Sequence, residues 1–172
     1  MELFYGTKQI KATPMSRQEY NDYRNWELPS DEDGSDEGFL VEYIDGGSSN
    51  HPDHEGYISW SPSYVFENSY KASGNMSFGH AIEAAKAGYK IHRSGWNGKN
   101  MFVVYMPPLY LPPFNTQDTH RKVNDRTAKW IGKDKPLCCQ PYFAMYTAKE
   151  EWVPGRLASQ SDMLAEDWMI SE

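Results

Sequence analysis

The sequence predicts an α+β protein of two parts, a small acidic one followed by a larger one in which a helix accompanies several strands. Three observations carry this. Strand-like runs such as Phe39-Leu40-Val41-Glu42-Tyr43-Ile44 and Met101-Phe102-Val103-Val104-Tyr105-Met106 end in Gly or Pro turns. One segment has helical apolar spacing, with Phe78, Ala81, Ile82 and Ala85 behind Ser77. The charge also changes sign along the chain. Residues 1–76 hold five Lys/Arg against fourteen Asp/Glu, and residues 77–172 hold twelve against ten. The polar, Gly-containing stretch Lys71-Ala72-Ser73-Gly74-Asn75 falls at that change and reads as a linker. The expected division is a first domain over 1–70, a linker over 71–76 and a second domain over 77–172.

Each element has its own signal. Ser16 and Glu19 form a capping-box pattern that starts a helix, with Tyr20 and Tyr23 on one face. Residues 30–38 are acidic and read as a solvated loop. The strand at 39–44 closes on Asp45-Gly46-Gly47, and Gly56-Tyr57-Ile58-Ser59-Trp60 is its expected partner. Ser61-Pro62 reads as an N-cap followed by proline at the first helical position, starting a short helix with Val65, Phe66 and Tyr70 inward. In the second part, Gly88 supplies the left-handed stop for the helix begun at Ser77. Residues 89–93 alternate as a short strand, and 94–98 form a turn. The Pro-rich, then basic, residues 107–136 are expected to be irregular. Residues 141–147 and 151–153 read as a hairpin, 159–165 as a helical turn, and 168–170 as a last strand.

Composition narrows the function classes. No apolar run approaches the roughly 20 residues that span a bilayer, and no basic-then-apolar leader opens the chain. The two cysteines, Cys138 and Cys139, are adjacent, a poor geometry for a bridge, so both are expected reduced in a cytoplasmic protein. A net charge of −7, concentrated in the first half, argues against general nucleic-acid binding. An anionic small ligand would favour the second half.

The candidate site residues lie in two polar-aromatic segments. In Arg93-Ser94-Gly95-Trp96-Asn97-Gly98 the indole sits in a turn between glycines, outside any periodic run. It caps the sheet or offers a stacking platform worth about 1–3 kcal/mol per base. Arg93 is a surface charge or a bidentate phosphate partner. In the second segment Ser159 and Asp162 fit a capping box, and Gln160 can both donate to and accept from a base edge. Trp152 and Trp168 read as core. The basic stretch with Arg121, Lys122, Arg126, Lys129, Lys133 and Lys135, against Asp118, Asp125 and Asp134, reads as a solvated loop or a flap over a phosphate. His51-Pro52-Asp53-His54 matches no zinc spacing and reads as a turn. No phosphate-cradling Gly-rich loop, metal ligand set or cofactor motif is present in the sequence.

The run from Phe78-Gly79-His80 to Gly88, then Arg93-Ser94-Gly95-Trp96-Asn97-Gly98, then Trp152 and the segment from Ser159-Gln160-Ser161-Asp162 to Trp168, closely resembles the Thoeris anti-defence 2 family over about residues 76–171. The resemblance implies an antiparallel sheet with a packed helix. It also implies a small phage protein that sequesters cyclic ADP-ribose-type immune signals, and in some members cyclic oligonucleotides, without cleaving them. Homo-oligomers, dimers or tetramers, with pockets between subunits are implied as well. Carried over by position, Trp96 is the base-stacking residue, with Arg93 and Asn97 beside it and Ser159, Gln160 and Asp162 in a second polar cluster. The extra first domain and the long 107–136 segment depart from the pattern.

The expected function is therefore a non-catalytic sponge for a nucleotide signal in the host cytoplasm, with no cofactor, membrane or nucleic-acid partner. Two other readings stand beside it. One is a hydrolase using His80, His92, Asp162 and Asp167 as acid–base groups. The other is a protein-interaction module acting through the acidic first domain.

Overall fold

A computed structural model describes residues 1–117 and 119–171. Asp118 of the basic stretch and the terminal Glu172 lie outside the described residues. The chain divides into two compact units, Met1–Lys71 and Ala72–Glu172.

The first unit is a three-stranded antiparallel sheet in the order β1-β2-β3 with two helices. Strand β1 spans Ile10–Pro14, helix α1 Arg17–Arg24, strand β2 Gly38–Tyr43, strand β3 Tyr57–Pro62 and helix α2 Ser63–Ser69. Ser16 and Glu19 form the full reciprocal capping box at the start of α1, which stops at Asn25 in the left-handed conformation. Tyr20 on α1 packs with Leu40 and Ile58 in a small core, and Trp60 joins it while its Nε1 donates to the Met15 carbonyl at 2.9 Å.

Two details of this unit differ from the sequence reading. Strand β1 carries no strong signal, because four of its five residues are exposed and it is held by its register with β2 alone. Pro62 ends β3 and stands at the N-cap of α2 instead of its first helical position, so the helix starts one residue later than expected, and Ser61 stays in the strand. Helix α2 buries no residue. Val65 is exposed, and the helix is fixed by the Phe66 ring stacked 4.0 Å from Phe39.

In the second unit, helix α3 (Phe78–Lys86) is followed by strands β4 (Lys90–Arg93), β5 (Phe102–Met106) and β6 (Leu109–Leu111). Helix α4 (Asp125–Ile131), strands β7 (Leu137–Cys139), β8 (Tyr142–Tyr146) and β9 (Trp152–Val153), helix α5 (Gln160–Met163) and strand β10 (Trp168–Ser171) complete it. A five-stranded antiparallel sheet runs β10-β4-β5-β8-β9. Helix α3 lies on it through small residues. Ala81, Ala84 and Ala85 pack with Ile91, Val103 and the fully buried Trp168. Alanines let the helix axis approach the sheet while adding good helix propensity. Gly88, at a φ of 101°, turns the chain from α3 into β4.

Residues 107–136 are more ordered than their proline content suggests. Strand β6 pairs with β7, and α4 is capped by Asn124, whose side chain accepts from the Thr127 N–H. Cys138 and Cys139 are free thiols on β7.

Candidate functional site

The two polar-aromatic segments meet because β4 and β10 pair. Their register sets Arg93, the last residue of β4, opposite Trp168, the first of β10. Asp167 therefore arrives beside the Arg93 guanidinium, and α5, just upstream, delivers Asp162.

Asp162 is the hub of the resulting network. Its Oδ1 accepts from Trp96 Nε1 at 3.0 Å and from Arg93 Nη1 at 3.1 Å. Its Oδ2 accepts from Arg156 Nη2 at 2.7 Å and from the Ser159 N–H at 3.2 Å. Its main-chain carbonyl accepts from Trp168 Nε1 at 2.9 Å. The capping box between Ser159 and Asp162 starts α5. The residue is only 7% exposed. Burial alone would push this carboxyl up, but hydrogen bonds from Trp96, Ser159 and Arg93 outweigh it and hold the group far below the usual carboxylate range.

Arg93 also faces Asp167, with Nε 2.7 Å from Oδ1 and Nη2 3.4 Å from Oδ2. This pairing raises the guanidinium's pKa and lowers that of Asp167. Asp167 Oδ2 further accepts from the Gly95 N–H at 2.9 Å. A Cβ on Gly95 would stand 2.8 Å from that same oxygen, so glycine lets the turn close onto the carboxylate.

Trp96 is half-buried. Its ring meets Trp168 edge-on at 5.5 Å, and the Arg156 guanidinium lies 5.0 Å from its centroid. Of the residues the sequence singled out, Arg93, Trp96, Ser159 and Asp162 thus join one network inside a single chain. Asn97 and Gln160 stand exposed next to it, with no side-chain hydrogen bond among the described residues. The charges of Arg93 and Asp162 neutralise one another, so neither presents an unpaired charge to a ligand. Trp152 is not part of the network. It sits on β9 against Phe102 and Tyr146 and is 54% exposed.

Sequence reasoning missed Arg156 as the second cation on Asp162. It lies between Gly155 and Leu157 in no pattern, six residues from its partner, and only the folded loop reveals it. A cavity of about 50 Å³ adjoins it, lined by Phe78, Ile91, Phe143, Arg156 and Trp168 among others. That volume accommodates a few waters and no nucleotide. His80 and His92 do not reach the cluster. Ser77 Oγ contacts His80 Nδ1 at 2.9 Å inside the α3 cap, and Ser171 Oγ contacts His92 Nδ1 at 2.6 Å on the sheet.

Residues 76–171 match the model of the Thoeris anti-defense 2-like domain, more than half of the chain. The chain belongs to the Thoeris anti-defense 2 family. Thoeris anti-defense 2 of Bacillus phage SP01 is 38% identical over 104 residues, which is 55% of this chain and 93% of that protein. Membership in this anti-defence family rests on the second unit, and every residue of the Asp162 network lies within the matched stretch. The match leaves the first unit outside. No helix among the described residues is long and apolar enough to cross a membrane.

Proposed function

We propose that the second unit sequesters a nucleotide immune signal of the cyclic ADP-ribose type in the host cytoplasm and releases it chemically unchanged. The observation that carries this reading is the Trp96 indole, pinned half-exposed by Asp162 beside the exposed amides of Asn97 and Gln160, which have no side-chain hydrogen bond among the described residues. A flat ring held in one orientation needs no reordering when a base stacks on it. Asn97 and Gln160 are placed to read polar edges. Arg93, Arg156, Ser159 and Asp162 act as positioning residues that fix the ring and the start of α5.

Affinity arithmetic points to more than one subunit. A sponge with nanomolar affinity needs about −12 kcal/mol. One stacked base and one charge-assisted contact give at most about 6 kcal/mol gross, before ordering costs. The cavity of about 50 Å³ behind the network cannot enclose the ligand. We therefore place the pocket between copies of a homo-oligomer, a dimer or tetramer, where two surfaces grip two ends of the signal.

Calorimetry with cyclic ADP-ribose and its glycosidically linked isomers tests this. The wild type should bind at least one of them tightly. Asn97→Ala and Gln160→Ala, both at exposed positions, should weaken that binding about tenfold each, the loss of one net hydrogen bond of about 1.4 kcal/mol. Heat-denatured complex should release the same compound. A hydrolysed product would replace the sponge with an enzyme, and unchanged affinity in both variants would remove the site.

A further inference from the structure

The first unit carries a groove that owes nothing to the family match. It holds about 480 Å³ and is walled by Tyr20 of α1, Trp26 of the following loop, and Tyr57, Ser59 and Trp60 of β3. That size falls in the range of about 300–1,000 Å³ typical of small-ligand pockets. Tyr57 and Trp26 are 46% and 53% exposed, a large aromatic area for one small unit to leave in water.

The wall formed by β3 is the edge of a sheet. Among the described residues, the order β1-β2-β3 leaves its outer side without a neighbouring strand. At Ile58 that side is occupied by a side chain. Asn50 Oδ1 accepts the Ile58 N–H at 2.8 Å, and Asn50 Nδ2 donates to the Ile58 carbonyl at 2.9 Å, imitating one step of a strand. Main-chain groups alternate along a strand, so the N–H and C=O of Trp60 point to the same side. They have no partner among the described residues. The edge thus ends in a vacant donor–acceptor pair, next to two exposed rings.

Charge selects the occupant. Residues 1–71 carry five Lys/Arg against fourteen Asp/Glu, and of the two carboxylates that line the groove Glu32 is paired with Arg17 while Glu27 has no ion-pair partner among the described residues. The arginines nearby are already engaged. Arg17 is 3.1 Å from Glu32 and 4.3 Å from the Trp60 ring, and Arg24 lies 4.3 Å from Trp26. Their N–H groups without acceptors, Arg17 Nε and Arg24 Nη1, are closed off from solvent and so from an incoming anion.

We propose that this groove binds an extended, positively charged peptide segment of a partner protein, added as a short fourth strand at the free edge of β3. Main-chain hydrogen bonds to Trp60 supply the register. One side chain of the segment seats against Trp26 on the face that carries Ile58 and Trp60, the next lies against Tyr57 on the opposite face, and a flanking Lys or Arg faces Glu27. Strand addition to an exposed edge is a recurrent mode of peptide recognition, with affinity from the backbone and specificity from alternate side chains.

The test uses the full chain, labelled with ¹⁵N, and the probe acetyl-Lys-Val-Trp-Val-Lys-amide. Saturable shifts at residues 57–61 and at the Trp26 indole are expected. Replacing both probe lysines by Glu should weaken binding at least tenfold, and N-methylating its central residues should abolish it. Tyr57→Ala, an exposed position, should weaken binding while leaving the remaining amide spectrum unchanged. No saturable shift at millimolar probe, equal binding of the N-methylated probe, or preference for the Glu probe would each overturn the proposal. Shifts centred on Trp96 instead would reassign the peptide to the second unit and overturn it equally.

Discussion

Asp162 accepts the indole proton of Trp96 at 3.0 Å while its own main-chain carbonyl accepts that of Trp168 at 2.9 Å. One residue therefore orients two tryptophans, one at the surface and one fully buried. Ring placement at the candidate site depends on the ionised state and the fold of α5 together.

Asp162→Asn removes the charge that Arg93 and Arg156 share. Arg93 keeps Asp167, but Arg156, with a side chain only 11% exposed, loses its one anionic partner among the described residues. Removing one member of a buried ion pair typically costs about 3–5 kcal/mol. A loss of about 3 kcal/mol for the second unit is expected in urea denaturation followed by Trp fluorescence, together with a weaker signal affinity in calorimetry.

Acid should reveal the same carboxylate. Its folded pKa is depressed, so the unfolded chain binds a proton that the folded chain refuses. The stabilisation is complete above about pH 4, the ordinary value for Asp. It declines as pH falls below that and is gone once the folded value is passed. Melting temperatures measured between neutral pH and the acid range should fall more steeply for the wild type than for Asp162→Asn. Parallel curves would show that the network adds no pH-dependent stability.

Trp96 has both a packing and a surface role, so its two substitutions should separate. Trp96→Ala removes a ring that packs on the Trp168 core and should cost about 3 kcal/mol as well as binding. Trp96→Phe keeps a stacking face but leaves Asp162 without that donor, a change of about 1 kcal/mol. Retained ligand binding in the Phe variant and its loss in the Ala variant, each measured at a temperature where the protein is folded, is the expected pair.

Gly38→Ala tests the first unit. A Cβ at that position would run into the Trp60 indole and the Ser61 carbonyl across the β2–β3 pair. Backbone cannot yield as a flexible side chain does, so a cost of about 2 kcal/mol is expected. Differential scanning calorimetry of the two proteins reads it directly.

Much of the architecture was legible because it rests on local signals. The Ser16–Glu19 and Ser159–Asp162 capping boxes, the Ala-rich face of α3 and the Gly88 stop all act within one turn of chain. Strand β1 escaped notice because nothing in Ile10–Pro14 alternates strongly, and its partner lies across α1. Ordered structure in 107–136 was hidden by its prolines, although Asn124 is an ordinary N-cap signal. At the site, the residue types were readable but their relations were not. Arg93 could be read as a surface charge or as a phosphate partner, and its ion pairs were hidden because its carboxylates lie sixty-nine and seventy-four residues away. Exposed Trp152 shows the converse, since an aromatic in a strand carries no information about which side of the sheet receives a covering layer.

Strand β10 lies between β4 and the entry to α3. Gly74 and Met76 donate to the Trp168 carbonyl, and the Ile170 N–H donates to Ser73 Oγ. The unit is thus fastened by joining its first residues to its last strand. During synthesis a ribosome-bound chain can finish the first unit early, yet the second must wait, with α3 and the central strands uncovered, until residues 168–171 emerge. A chain stopped shortly before Trp168 would therefore lack the strand that joins β4 to residues 73–76 and would leave the α3 core open to proteolysis.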